Sequence, residues 1–380
     1  MSQSELSEHR SYLADDRRTT AYRAALAEVV RAGDVVLDLG SGTGILGLLA
    51  CEAGAGSVIA VERGEIIALT RRIAAENGLD EKVHHHHARS TEIALDRLAD
   101  VVVCDQIGGL VHDAGILRFF ADARKRLSSP GATLVPASFR TYLAPACFDE
   151  GREAVEFWSS RPGNIDVSAA RAFAVNTEWH YARVEGSFPL ADGVGIAEFS
   201  SDHDEPISGK ATFTIHTKGR MDGLMGWFDA QMSPSVRLSN DPWSPERFDR
   251  WCNFYPIESS VDLIPGDRVE VSLEIRPKLN LVAWDITVRP EGGHAQRFRH
   301  STLTGTFVTR ASFDRRTEEK APVPSGRVEI VREVLAFIDG SRSRADIVQA
   351  LAGRVGTDFS TEAQLDRFVG NCIELTRALT

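Results

Sequence analysis

The chain has 380 residues, 43% of them hydrophobic and 26% charged, with 43 lysines and arginines against 54 aspartates and glutamates and a net charge of −11. At about 150 residues per domain this length predicts two or three domains. The composition excludes a disordered, collagen-like or coiled-coil chain, and the acidic balance argues against a nucleic-acid-binding surface. Five widely spaced cysteines (Cys51, Cys104, Cys147, Cys252 and Cys372) without a CxxC pair give no support to a disulfide framework or a zinc site. Charges run through the first thirty residues, and no run approaches the roughly 18 apolar residues of a membrane span. A cytoplasmic protein with neither a nucleic-acid nor a membrane partner is the expectation.

Taken in chain order, residues 35–39 read as a short apolar strand ending at Gly40, and residues 45–53 as a helix. A second strand covers 57–62. A helix over 65–77 stops at Gly78, where glycine tolerates the positive φ of a helix C-terminus. Strands follow at 83–88 and 101–104 and a helix at 116–127, after which Pro130-Gly131 is expected to break the chain before another strand. Strand and helix alternating in this way predict a parallel, doubly wound sheet over residues 1–140.

The pattern changes over 141–312. Short alternating runs at 211–216, 268–275 and 281–288 lie between turns at Asp241-Pro242, Pro265-Gly266 and Glu291-Gly292-Gly293, which predicts an antiparallel barrel or sandwich. Trp158, Trp227, Trp243 and Trp251 are read as its core. Residues 311–326 carry charges with Pro322, Pro324 and Gly326 and read as a linker. Beyond it Val328, Val331, Val334, Leu335 and Ile338 recur at helical spacing before Gly340. Ser343 with Asp346, and Thr361 with Gln364, resemble capping boxes, so 326–380 is expected to form a three-helix module.

The most informative stretch is Val35-Val36-Leu37-Asp38-Leu39-Gly40-Ser41-Gly42-Thr43-Gly44. Glycines after a strand let backbone approach a ligand, and the helix N-terminus beyond them favours electronegative groups. Gly42, Gly44 and Gly47 formally satisfy the dinucleotide pattern, so pattern alone leaves an NAD-dependent oxidoreductase open. The glycines begin at Gly40, directly after Asp38 and the strand end, and this acid-x-Gly-x-Gly-x-Gly order looks like the S-adenosylmethionine (SAM) loop. Asp38 would orient the amino-acid portion of SAM. Glu62, ending the second strand 22 residues after Gly40, would accept hydrogen bonds from ribose hydroxyls.

These residues resemble the type I protein arginine methyltransferases, a SAM-binding Rossmann-like domain followed by a β-barrel. His9, Leu13, Asp15 and Arg18 match that family's HxxxLxDxxR motif in spacing, and residues 40–46 match its loop. The resemblance implies that Arg18, with His9, holds the SAM carboxylate, that Glu62 binds the ribose, and that Thr91 or Glu92 meets the adenine amino group. Residues 223–229 and 248–251 also look like family segments, and 155–178 fall where the family carries its dimerisation arm, implying a homodimer.

The departures lie on the acceptor side. The family's hairpin carries two glutamates nine positions apart that grip a guanidinium. Here the first is Asp105, the ninth position after it is Ala114, and the nearest acid is Asp113, beside His112. Losing a methylene pulls a carboxylate back by roughly 1.5 Å. A Thr-His-Trp triplet becomes Asp249-Arg250-Trp251, and an Arg250 facing the pocket would repel a guanidinium, which favours an acidic or neutral acceptor.

The reading is a SAM-dependent class I methyltransferase acting on a peptide or protein side chain, with Asp105, Asp113 and His112 as candidate catalytic residues. A small-molecule methyltransferase of natural-product biosynthesis and a catalytically silent SAM-binding scaffold are the alternatives. No metal site is expected, because alternate residues of a strand face opposite sides and at most two of His84 to His87 converge. The C-terminal module looks similar to small peptide-binding modules of the PqqD type, with a packing or dimer role as the alternative.

Overall fold

A computed structural model describes residues 3–306, 326–352, 359 and 361–377. The chain divides into two compact units, residues 1–307 and 308–380. The expected linker at 311–325 lies outside the described residues.

The first unit opens with α1 (Gln3–Ala14) and α2 (Asp16–Val29). Asp15 caps α2, its side chain accepting from the Arg18 amide at 3.0 Å, a bond that satisfies one of the orphan donors of a helix start. A five-stranded parallel sheet follows: β1 (Val35–Leu39), β2 (Ser57–Glu62), β3 (Val83–His87), β4 (Ala99–Cys104) and β5 (Ser128–Val135). Their order is β3-β2-β1-β4-β5. The chain therefore leaves β1 toward one edge and returns to start β4 on its other side, and the crevice at such a reversal is where open α/β sheets bind ligands. β1 is buried along its whole length, as a central parallel strand covered on both faces must be. Between the strands lie α3 (Ile45–Glu52), α4 (Ile67–Glu76) and α5 (Ile116–Arg126).

Pro130-Gly131 does not precede the fifth strand but lies inside it. The pairing with β4 jumps from Ala99 opposite Ser128 to Val101 opposite Thr133, so the two residues occupy a bulge, where a proline costs no ladder hydrogen bond.

From residue 138 onward the strands are antiparallel. One sheet is built on β6 (Ser138–Cys147), β11 (Gly219–Gln231) and β13 (Cys252–Leu263), with β7 (Trp179–Tyr181), β8 (Phe188–Pro189), β9 (Val194–Ser200) and β12 (Arg237–Ser239) at its borders. The other runs β10-β14-β15-β16, formed by Ile207–Thr214, Arg268–Arg276, Leu281–Arg289 and Gln296–Ser301. The expected barrel thus has two hydrogen-bonded sheets sharing one core rather than one closed ring of ladders. Trp284 joins them: fully buried on β15, it packs against Tyr255 of β13 at 5.3 Å between ring centroids and donates its indole N–H to the Pro256 carbonyl at 3.0 Å. Trp227 stacks on Tyr142 inside the larger sheet, whereas Trp158 lies on the connection at 157–159, outside both.

The second unit contains, among its described residues, helices Gly326–Phe337, Arg344–Ala352 and Glu362–Arg377, packed around Val334, Leu351 and Val369. Gly326 opens a helix instead of ending a linker. Ser343 and Asp346 form a reciprocal capping box, the Ser343 amide donating to Asp346 at 2.9 Å and the Asp346 amide to the Ser343 hydroxyl at 3.3 Å.

Removing the sheet-to-sheet bridge tests the shared core. Trp284→Ala should lower the unfolding free energy by about 3–5 kcal/mol, the usual cost of deleting a buried large aromatic, in urea titration followed by fluorescence. A loss below about 1 kcal/mol would mean that the two sheets do not depend on this contact.

Candidate active site

The glycine loop is built by backbone constraint. The Gly40 and Ser41 amides both donate to the Val61 carbonyl on β2, and the Gly44 amide donates to Ser41, which folds the loop tightly over the ends of β1 and β2. Gly40 and Gly42 take φ of +68° and +55°. A Cβ at Gly40 would lie 2.2 Å from the Gln106 amide nitrogen, and one at Gly42 would lie 2.8 Å from the His9 ring. Glycine is required here both for the left-handed backbone and for the close approach of neighbours.

Two carboxylates sit at this loop. Glu62 accepts the Gly42 amide at 3.2 Å and the Gly64 amide at 2.7 Å, which holds it at the loop mouth. Asp38 lies beneath the loop and is fully buried. Its Oδ2 accepts the Gly47 amide at 2.9 Å, while Oδ1 has no hydrogen-bond partner. Burial pushes the Asp38 carboxyl up to about 7, against the pull of the Gly47 amide. An orphaned buried carboxylate oxygen under a glycine cradle fits a ligand that brings a hydrogen-bond donor.

Beside them opens a cavity of about 380 Å³, within the range of small-molecule sites. Gly40, Glu62 and Thr91 line it. Glu92 does not: it is exposed, and its carboxylate reaches Arg89 at 4.0 Å on the surface. Three lining residues went unread in the sequence. Gln106 follows β4, and Arg118 with Phe119 forms the first turn of α5, with the Arg118 guanidinium 5.1 Å from the Phe119 ring centre. The signal was positional, since ligands in such sheets gather at the carboxyl ends of strands and the helix starts after them.

Asp105, just past β4, has a different surrounding from the one expected. Its Oδ2 accepts from Arg18 Nε at 2.5 Å, and Arg250 Nη2 donates to both oxygens at 3.0 and 3.1 Å. The Tyr22 hydroxyl adds a bond to Oδ1 at 3.1 Å. Burial alone would raise the Asp105 carboxyl, but Arg18 and Arg250 outweigh it and hold the group below its ordinary range. Arg18 and Arg250 are 5% and 4% exposed, so this is a buried three-member ion cluster with one positive charge in excess. Both Asp105 oxygens are thus engaged within the chain.

His112 is likewise committed. Nδ1 lies 3.3 Å from the Leu110 carbonyl and Nε2 3.2 Å from Glu178, with the ring fully buried. Glu178 also accepts from Asn253 and Tyr255. Burial opposes charge on the imidazole, but Glu178 lifts it to about 9; Glu178 is held at about 2 chiefly by His112, against its own desolvation. The pair is an internal ion pair and leaves no free nitrogen for a proton relay.

Asp113 keeps more freedom. Oδ2 meets the Gly109 amide, the His180 ring and the Trp251 indole at 3.3, 3.3 and 3.4 Å, while Oδ1 is buried without a partner. Asp113 lines a second cavity of about 260 Å³, which shares Ala114 and Arg118 with the first and has Lys278 and Asn280 at its exposed rim. His9, Arg18, Gly42 and Gly44 are not among the residues lining the first cavity; the His9 ring lies against Gly42 and the Thr70 side chain against Gly44.

The family model of ribosomal protein L11 methyltransferases (PrmA) matches residues 17–136. The chain is 27% identical over 236 residues to a probable protein arginine N-methyltransferase 6 of Arabidopsis thaliana, covering 59% of this chain and 54% of the relative. It is 28% identical to an arginine N(omega)-methyltransferase of Streptomyces achromogenes subsp. streptozoticus, over 70% of this chain and 75% of that one. The match therefore spans about half the length of the plant relative. In fold it is similar to the Trypanosoma brucei PRMT1 enzyme–prozyme heterotetrameric complex with AdoHcy, with a TM-score of 0.66 and 21% identity over 77% of this chain and 97% of that chain. It is equally similar to protein arginine methyltransferase 10 of Arabidopsis thaliana, with a TM-score of 0.66 and 19% identity over 78% and 98%.

The buried ion pair makes a pH prediction. The His112 imidazole titrates near 6.5 when unfolded and near 9 when folded, so its contribution is complete below pH 6.5 and is lost as pH rises through 9. The wild type should lose about 3 kcal/mol across that window. A His112→Gln/Glu178→Gln double variant should lack this alkaline loss in melting temperature measured against pH; an unchanged slope would show that the pair is not the source.

Over residues 17–136 the chain matches a methyltransferase family model, and in sequence and fold it is similar to protein arginine methyltransferases.

Proposed function

We propose that this chain transfers a methyl group from SAM to a peptide or protein side chain that enters through the second cavity. The observation that carries the reading is the shared wall: one cavity lies against the glycine loop, the next holds Asp113, and Ala114 and Arg118 line both. When bound, SAM supplies an electrophilic methyl group on a sulfonium. The residues of the chain have only to bind, exclude water and align a lone pair.

We assign Glu62 to the ribose hydroxyls, Thr91 to the adenine edge, and Arg18 with His9 to the carboxylate. Asp38 supports the loop from beneath. Glu92 loses its assignment because its carboxylate turns to Arg89. On the acceptor side Asp113 orients the reacting group and takes its proton, since it alone of the two acids keeps an uncommitted oxygen. Asp105 and His112 become positioning residues: Asp105 fixes Arg18 and Arg250, and His112 fixes the hairpin through Glu178. The exposed rim at Lys278 and Asn280 favours a side chain presented from a larger acceptor. A small-molecule acceptor is the second reading, favoured by the Streptomyces relative, whose name gives arginine rather than a protein as its substrate.

Labelled SAM offered to a host extract divides these readings, with Gly42→Arg as the blank because any side chain there meets His9. Label is expected in the protein fraction. Label confined to small molecules would support the second reading, and SAM binding without transfer to either fraction would make the chain a silent scaffold.

We further propose a homodimer formed through the segment at 155–178, where Phe157 and Ile165 are 52% and 67% exposed, an arrangement that large apolar side chains on an interface segment support. Sedimentation should give a dimer that Phe157→Asp/Ile165→Asp converts to monomer; a monomeric wild type would overturn this.

A further inference from the structure

The surroundings of Arg250 are those of a bound ligand rather than of an ordinary core side chain. Its guanidinium carbon lies 5.4 Å from the centre of the Tyr12 ring, 5.6 Å from Phe248 and 5.5 Å from Trp251. Two carboxylate oxygens of Asp105 face its Nη2. Three aromatic rings and one carboxylate are the elements by which proteins recognise guanidinium compounds, through cation–π attraction and charge-assisted hydrogen bonds. Nε is buried and has no hydrogen-bond partner, so the carboxylate engages the guanidinium through Nη2 while the rings face its carbon. Tyr12 and Trp251 are only half-buried, which leaves the cage reachable from solvent once its occupant is removed.

The geometry points to a guanidinium-binding cage, formed by Asp105, Tyr12, Phe248 and Trp251, that the chain fills with its own Arg250 and so closes to guanidinium acceptors. The cage stands on these distances alone; its consequence for the acceptor rests on the methyltransferase reading above. Arg250 then acts as a specificity determinant. Asp105 already carries two guanidinium groups, Arg18 and Arg250, and a third cation at the same carboxylate would meet net positive charge in a desolvated place. Neutral or anionic acceptor groups meet no such barrier.

The test uses methylguanidinium as the probe at concentrations far below denaturing ones. Arg250→Ala should melt several degrees below the wild type, and methylguanidinium should restore that loss saturably. The wild type should show no saturable response, and neither should Arg250→Ala/Asp105→Asn. Methylammonium, which lacks the planar fork, should restore less than a tenth as effectively. If Arg250→Ala does not fold, Arg250→Gln is titrated instead by calorimetry, and saturable uptake of methylguanidinium is again expected. Absence of uptake by the folded variant, or equal uptake by the wild type, overturns the cage.

With labelled SAM and an arginine-containing peptide, the wild type should leave the guanidino group unlabelled; its methylation by the wild type would overturn the specificity role. Cage rescue without any methyl transfer in any protein would count against the methyltransferase reading while leaving the cage in place.

Discussion

The carboxylate of Asp105 is the point through which the parts of the larger unit are tied together. It directly follows the fourth parallel strand, it takes Arg18 and Tyr22 from α2, and it takes Arg250 from the connection between β12 and β13 of the antiparallel half. Desolvating three ionic groups costs several kcal/mol each, and that cost is offset only where geometry and extra hydrogen bonds are good. Here the carboxylate accepts at both oxygens and the guanidiniums lie over aromatic rings, Arg18 over Tyr12 and Tyr22 and Arg250 over Tyr12. Tyr12 is thus wedged between two cations, which fixes α1 against the site. Removing Asp105 would leave two buried cations without a counter-charge, whereas removing one arginine would leave a balanced pair, so the carboxylate is the member on which the arrangement of helix, strand and loop depends.

The segment from 105 to 115 is held in turn from the antiparallel side. Asn240 donates to the Gly109 and Trp251 carbonyls, and Asn253, on β13, joins Glu178 and His180. Gly109 packs so closely here that a Cβ would lie 1.9 Å from the Asn253 side-chain oxygen. The His112–Glu178 pair lies behind this contact. Asp113, which lines the second cavity, is therefore aimed by polar groups contributed from both halves of the unit, and its one uncommitted oxygen is a consequence of that crowding.

What could be read from sequence follows the range over which each signal acts. Strand β2 and the start of α5 were legible because apolar runs and glycine stops are local. The capping box at Ser343 and Asp346 was legible for the same reason. Pro130-Gly131 misled because a bulge and a strand boundary share the same residues, and only the partner strand decides between them. Glu178 went unnoticed in a segment without periodicity, although it is the partner of His112. The choice between Thr91 and Glu92 depended on a single 3₁₀ turn (Ser90–Glu92) that sends adjacent side chains to the cavity and to Arg89. Arg250 was visible as a departure from the family pattern, but its bond to Asp105, 145 residues away, belongs to tertiary structure.

Charge gives these observations a common direction. The chain as a whole carries −11, yet the two cavities are lined by Arg63, Arg89, Arg118 and Lys278 against Glu62, Asp113 and Asp204, and the Arg18–Asp105–Arg250 cluster adds one further positive charge. A local excess of positive charge inside an acidic molecule focuses the field of the cleft and draws in anionic or electron-rich groups. The same excess repels cations, including the guanidinium side chains for which Asp105 alone would have been a natural partner. Substituting arginine at position 250 therefore acts twice, by filling the carboxylate and by changing the sign of the ground around it. Ala114 follows the same logic, since it leaves the wall that the two cavities share without the negative charge that the resembled family would place there. Arginine where the resembled family has a histidine, and alanine where it has a glutamate, both shift the local charge in the positive direction, which is the physical ground for the proposed neutral or anionic acceptor.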